Sequence, residues 1–142
     1  MSAEENVQRL IALTEQLTER MRLDAAAFEA HRPQEAAARI DETQRLANVY
    51  RHESDRVRQD PTLVMGAPAP LRQRLAKTSE AFEAALARHG RAVFALKTLT
   101  EGVVRAIGEE VARARAAAQG YTPGARMATP SGAIPIALNR TA

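Results

Sequence analysis

The longest periodic stretch of the sequence is the feature that most constrains its fold. Residues 71–119 contain no Pro, and apolar side chains recur there every three or four residues. This spacing places the side chains on one face of an α-helix. A continuous helix of this length would be roughly 70 Å long. The stretch therefore predicts one long helix with a single stripe, formed by Leu71, Leu75, Thr78, Phe82, Ala85, His89, Val93, Leu96, Leu99, Val103, Ile107 and Val111.

Two shorter periodic segments precede this stretch. The first predicted helix covers about residues 3–30, and Ser2 with Glu5 three residues later fits a capping box. Its repeat runs through Val7, Leu10, Thr14, Leu17, Met21, Asp24 and Phe28, with polar lapses at Thr14 and Asp24. Pro33 opens the second predicted helix, about residues 33–59, with Ile40, Thr43, Ala47, Tyr50, Ser54 and Val57 along its seam. The short break between them predicts an antiparallel hairpin.

The segments between and after the helices contain Pro and Gly. The run "QDPTLVMGAPAPL" has three Pro and a Gly and predicts a loop, whose Leu63, Val64 and Met65 should fold over the hairpin end. Residues 120–142 form a tail with Pro and Gly. We therefore expect an all-α fold: an antiparallel helical hairpin plus a long third helix in residues 1–119, like a coiled-coil three-helix bundle, then a flexible tail.

The amino-acid composition limits the functions that this chain could have. Hydrophobic residues make up 45% of the chain, but 30 residues are Ala and aromatic residues are only 4%, so the core should be thin. Cys is absent, which excludes disulfides and thiolate zinc sites. No enzyme motif occurs, and the three His do not combine with acids at metal-binding spacing. We expect no catalysis, no metal and no cofactor.

The ends of the sequence bear on location and on nucleic-acid binding. The N-terminus is acidic and polar, unlike a signal peptide, and no apolar run approaches the roughly 18 residues of a membrane span. These features predict a cytoplasmic protein without membrane insertion. Four Arg in residues 113–142 are too dispersed for a nucleic-acid patch, so weak binding of nucleic acid or a membrane surface remains a minor alternative.

The C-terminal half of the stripe has two interpretations. Leu96, Leu99, Val103, Val104, Ile107 and Val111 could be ordinary core, or a docking surface for a partner helix. The first two helices would each be only about 40 Å long, so the third would outreach them. Gly90 would permit a bend that folds the excess back.

The tail likewise has two interpretations. Residues 120–142 could simply be disordered. The run "IPIALN" could instead lie on the stripe and shield it until a partner arrives, which would give Tyr121, Ile134, Ile136 and Leu138 a role in binding.

The tail "GYTPGARMATPSGAIPIALNRTA", with Tyr121, Gly124 and the closing "ALNRTA", resembles that of the FlgN-like flagellar export chaperones. The coarse layout of an acidic first helix, a hairpin and a long third helix resembles the same family over the whole chain. The first helix has more Ala than that family usually shows, and the loop is longer.

This resemblance implies a function. Such chaperones bind the C-terminal amphipathic helices of hook–filament junction proteins and deliver them to the type III export apparatus. It places client binding on Leu96, Leu99, Val103, Ile107 and Val111 and on the tail, and implies no cofactor. The alternative from another class is a structural or adaptor coiled-coil protein that homodimerises through the same stripe.

Overall fold

The computed structural model describes residues 1–120, which form α-helices and no β-strand. The helices are α1 (Ala3–Glu29), α2 (Pro33–Ala37), α3 (Ile40–Gln59), α4 (Thr62–Met65) and α5 (Ala69–Gly120). The all-α prediction is confirmed. The predicted tail lies outside the described residues, and with it Tyr121, Ile134, Ile136 and Leu138.

Helix α1 begins at the predicted capping box. Ser2 Oγ accepts a hydrogen bond from the Glu5 backbone N–H at 3.1 Å, and Glu5 Oε2 accepts one from the Ser2 N–H at 2.8 Å. These two bonds satisfy backbone donors that a helix N-terminus otherwise leaves unpaired. The hydrogen bond from the Ser2 backbone also holds the pKa of Glu5 below its ordinary value.

The seam of α1 is the core of the bundle, as predicted. Val7 is fully buried and Leu17 is 2% exposed, whereas Leu23, which is not on the predicted seam, is 46% exposed. The two polar lapses are buried with their hydrogen bonds satisfied. Thr14 Oγ1 donates to the Leu10 carbonyl at 2.7 Å, and Asp24 accepts from Arg39 at 2.8 Å. Buried polar groups are tolerated when they are paired in this way.

Helices α1 and α3 are antiparallel, as the short break predicts. Arg9 near the start of α1 pairs with Glu53 near the end of α3 at 2.5 Å. At the other end of the hairpin, Asp24 pairs with Arg39 just before α3. Glu53 is buried and also accepts from Arg56 at 3.0 Å, so its charge is compensated by two guanidinium groups.

The first part of α5 runs parallel to α1. Arg74 pairs with Glu15 at 3.3 Å and Arg88 with Glu29 at 2.6 Å, and both pairs are separated by 59 residues. The Arg88 hydrogen bond holds the pKa of Glu29 below its ordinary value of 4.5. Because the residue numbers differ by the same amount in both pairs, α1 and the first part of α5 run in the same direction.

Aromatic contacts join α5 to both other long helices. Phe82 packs on Tyr50 of α3 with ring centroids 5.1 Å apart. The half-buried His89 lies edge-on to Phe28 of α1 at 5.4 Å. The first half of the predicted stripe therefore packs on the hairpin, with Ala85 buried and Phe82 and His89 half-buried.

The prediction of one continuous second helix is wrong, because this segment is divided into two helices. Helix α2 ends at Ala37, and α3 begins at Ile40. In this interruption, Arg39 reaches back to the buried Asp24. Ile40, predicted on the seam, is the first residue of α3 and is exposed, whereas Thr43, Ala47 and Tyr50 further along the seam are half-buried.

The predicted loop after α3 contains the short helix α4. Asp60 accepts hydrogen bonds from the backbone and hydroxyl of Thr62 at 3.2 and 2.5 Å, which turns the chain into α4. Val64 packs against a core cluster of Val7, Ile11 and Ala67, as expected for a segment that covers the hairpin end. Met65, by contrast, is exposed. Gly66 fits closely there, since a Cβ on it would lie 3.3 Å from Ala3 Cβ.

Helix α5 is continuous through Gly90, so the bend permitted at this residue does not occur. The chain divides into two compact units, Met1–Leu96 and Lys97–Ala142, of which the second is described as far as residue 120. The helical bundle described above belongs to the first unit.

Candidate docking face on α5

The second unit carries five of the ten predicted partner-binding residues on one side of α5. We define the α5 apolar face as Leu99, Val103, Val104, Ile107 and Val111. Leu99, Val103, Ile107 and Val111 follow one another at intervals of four residues. Such residues form a continuous ridge on a helix surface. Val104 is adjacent to this ridge.

The side chains of this ridge are exposed. Leu99 and Val103 are each 50% exposed, and Ile107 is 59% exposed. Val111 is also exposed, and only Val104 is half-buried. Single exposed aliphatic residues are ordinary, but a contiguous apolar patch is typical of a binding surface. The face therefore meets the first physical requirement of a docking site.

Leu96 stands apart from the other predicted residues. It is the last residue of the first unit and is half-buried. The structure thus groups Leu99 to Val111 in one unit and leaves Leu96 in the other. The predicted residues Tyr121, Ile134, Ile136 and Leu138 lie outside the described part of the chain.

The side chains near the ridge are either small or already part of an ion pair. Gly102 and Ala106, one position before the ridge residues Val103 and Ile107, are small residues. A Cβ added at Gly102 would meet no atom within 4 Å. The nearby charges form ion pairs within the helix, Lys97 with Glu101 at 3.8 Å and Arg113 with Glu110 at 2.7 Å. A helical or extended segment could approach this ridge without displacing a large side chain.

The sequence patterns did not predict one exposed aromatic side chain. Phe94 is 71% exposed and lies in the first unit. It falls outside the three-and-four spacing of the stripe, so it points away from the seam that Phe82 and His89 bury. The sequence could have indicated this exposure, because a large aromatic residue that does not follow the spacing of the stripe should lie in solvent.

The acidic and imidazole side chains of residues 1–120 do not cluster as metal ligands. No group of three or more His, Asp or Glu side chains that could hold a metal ion occurs in this range. Two open surface grooves flank α1. The lining of one includes Glu19, Arg20, Arg39 and Glu42, and that of the other includes Glu15, Arg22 and Lys77. None of the helices described is long and apolar enough to cross a membrane.

Comparison with known proteins identifies a relative. No family model matches the chain, and no solved structure matches it. The flagellar basal-body protein FlbY of Caulobacter vibrioides is 50% identical over 144 residues, an alignment that covers 100% of this chain and 97% of the relative. That name supports the flagellar part of the resemblance to export chaperones and says nothing of chaperone activity. At this identity and coverage, the chain belongs to the family of the flagellar basal-body protein FlbY.

Proposed function

We propose that this protein acts in flagellum assembly as an export chaperone. It binds the amphipathic C-terminal helices of hook–filament junction proteins and hands them to the type III export apparatus. The family relationship to a flagellar protein supports the flagellar setting. The proposal also places the protein in the cytoplasm, where such clients are made.

The observation that carries the proposal is the exposure of the α5 apolar face. A client helix that assembles with other copies has its own apolar face, which must be covered before export. Leu99, Val103 and Ile107 offer a matching face at helical spacing. Helix-in-groove recognition uses anchors with this spacing.

The size of the face fits reversible binding. Full burial of an aliphatic side chain is worth about 1.5–3 kcal/mol, so covering four half-exposed ones yields roughly 4 kcal/mol. Association costs about 4 kcal/mol or more in lost translational and rotational freedom. A client must therefore add contacts beyond this ridge, and the complex should still dissociate readily at the export apparatus.

The test replaces the centre of the face with charge. We expect the combined variant Leu99→Asp, Val103→Asp and Ile107→Asp to bind a fluorescent peptide from the C-terminal helix of a junction protein at least tenfold more weakly. Buried carboxylates would have to be desolvated in the complex. The measurement is fluorescence anisotropy, with far-UV circular dichroism of each variant.

The matched control places the same charges elsewhere on α5. Thr98→Asp, Ala112→Asp and Ala116→Asp add three carboxylates on the side of the helix away from the ridge. Their binding should remain within about twofold of the unaltered protein. Equal losses in both variants would contradict the proposal. Loss of the bundle in the first variant would show that the face is core, and a concentration-dependent dimer that it disrupts would favour the adaptor function.

A further inference from the structure

We infer that two copies of this protein associate through α5, with the two helices antiparallel and crossing at Gly90. The surface involved differs from the α5 apolar face. We define the crossing patch as Leu86, Ala87, Gly90, Val93 and Phe94, all within the first unit. This association goes beyond the proposed function and does not depend on it.

The crossing patch is apolar and exposed. Leu86 is 48% exposed, Val93 is 39% exposed and Phe94 is 71% exposed. Ala87 and Gly90 are exposed beside them. Spacings of three and four residues place all five on one side of α5. Exposed aliphatic and aromatic side chains that are clustered in this way are typical of a surface that another protein covers.

Gly90 is not explained by the contacts of a single copy. A Gly inside a helix costs about 1 kcal/mol relative to Ala. Helix α5 is continuous through Gly90, and a Cβ on this residue would meet no atom within 4 Å. Neither a bend nor a close neighbour within the described residues therefore requires Gly here. A Gly also allows another backbone to approach closely, which favours a second helix that crosses at this position.

The crossing patch repeats every seven residues. Val93 follows Leu86 by seven residues, and Phe94 follows Ala87 by seven. This is the repeat with which two α-helices pack side by side over successive turns. The patch can therefore hold a second helix along its length and not only at one point.

An antiparallel pair with a twofold axis at Gly90 makes the patch complementary to itself. Residues equally far before and after Gly90 then lie at the same level in the two copies. Leu86, four residues before Gly90, lies beside Val93 of the second copy, three residues after it. Phe94 likewise lies beside Ala87 of the second copy. A large side chain thus meets a small one, as close helix packing requires.

Charge complementarity favours a second copy as the occupant and sets its direction. Glu83 lies seven residues before Gly90, and Lys97 lies seven residues after it. The antiparallel pair places Glu83 of each copy opposite Lys97 of the other, whereas a parallel pair would bring like charges together. Within residues 1–120, Glu83 forms no ion pair, and Lys97 pairs only with Glu101 at 3.8 Å. Both charges are therefore available to a second copy.

The size of the crossing patch indicates a weak dimer. A stable complex buries about 800 Å² on each partner, which takes roughly 20 residues a side. The crossing patch has three large apolar side chains. We therefore expect a reversible association whose extent depends on protein concentration.

Sedimentation velocity of the full chain at increasing concentration tests this association. We expect a monomer–dimer equilibrium. The variant Leu86→Asp with Phe94→Asp should raise the dissociation constant at least tenfold, because carboxylates would have to be desolvated in the interface. Since both side chains are exposed, far-UV circular dichroism should show the same helix content as the unaltered protein.

The matched control is Leu23→Asp with Ile40→Asp. These side chains are 46% and 51% exposed but lie on α1 and α3. Their dissociation constant should stay within about twofold of the unaltered protein. A monomer at every concentration would overturn the proposal, and so would equal weakening in both variants. A dimer that dissociates only when the α5 apolar face carries Asp would also overturn it, because the second copy would then lie on that face.

Charge reversal tests the antiparallel direction. Glu83 and Lys97 are about 21 Å apart along α5, too far to pair within one copy. At low salt, Glu83→Lys and Lys97→Glu should each weaken the dimer about fivefold, because each change affects two pairs across the twofold axis.

The variant with both reversals should regain the dissociation constant of the unaltered protein to within about twofold, since opposite charges again face each other. Failure of this rescue would overturn the antiparallel crossing. The charge variants leave the apolar side chains in place, so their result decides the question even if the Asp variant of the crossing patch loses helix content.

Discussion

At the scale of single residues, His31 shows how the chain leaves α1. It adopts φ of 59°, the left-handed region. Its N–H donates to the Phe28 carbonyl at 3.0 Å, and the Arg32 N–H donates to the Ala27 carbonyl at 2.8 Å. This is the Schellman pattern, whose left-handed residue is most often Gly because a Cβ is disfavoured there. The fold therefore requires a residue in the left-handed conformation at position 31.

Replacing His31 with Gly should therefore stabilise the protein. We expect His31→Gly to raise the free energy of unfolding by about 0.5–1 kcal/mol. Gly removes the energetic cost of the left-handed conformation, and the greater conformational freedom that it gives the unfolded chain offsets part of this gain. Urea denaturation followed by circular dichroism measures it. Ala30→Gly is the control, because Ala30 has φ of −86° and should gain nothing. A lower stability of His31→Gly would show that the imidazole makes a contact worth more than the strain.

At the scale of elements, α1 organises the bundle. Its buried side carries Leu17 and Val7, and α3 and α5 contact it on two flanks through Glu53 and Arg74. Most other large apolar side chains in α3 and α5 are at best half-buried. The core is thin, as the Ala-rich composition predicts, so each large side chain in α1 should matter strongly.

Two Leu residues of α1 give a matched comparison. Leu17→Ala should lower the free energy of unfolding by about 2–5 kcal/mol, because Leu17 is only 2% exposed and its removal leaves a cavity. Leu23→Ala removes the same atoms from a side chain that is 46% exposed and should cost about 0.5 kcal/mol. Both are measured by thermal and urea unfolding. Similar losses in the two variants would refute the burial pattern of α1.

At the scale of the whole molecule, the packed helical bundle and the face proposed to bind clients belong to different units. The contacts that join α1, α3 and α5 in the bundle described above involve residues within Met1–Leu96. The α5 apolar face lies within the second unit.

A fragment of residues 1–96 should therefore fold by itself. We expect it to show cooperative thermal unfolding with a Tm within about 5 °C of the full chain, because the buried side chains of the bundle remain. Differential scanning calorimetry compares the two. A much lower Tm, or gradual unfolding, would show that residues 97–142 stabilise the bundle directly.

Local patterns in the sequence predicted much of this structure and part of the candidate site. The capping box at Ser2, the seam of α1 and the long Pro-free α5 depend on residues three or four positions apart, so they can be read directly. The division of α2 from α3 could not, because the pairing of Arg39 with Asp24 that accompanies it joins residues fifteen positions apart. The short helix α4 was also missed, because it is stabilised by packing of Val64 on Val7 and Ile11.

The sequence by itself determined that this chain is helical and that α5 carries one continuous apolar stripe, since helix periodicity is a local property of the backbone. Only the tertiary structure decided how that stripe is used. Phe82 and His89 are half-buried and pack on α3 and α1, whereas Leu99, Val103 and Ile107 are exposed. Periodicity specifies which side chains share a face, but burial depends on which other segments reach that face.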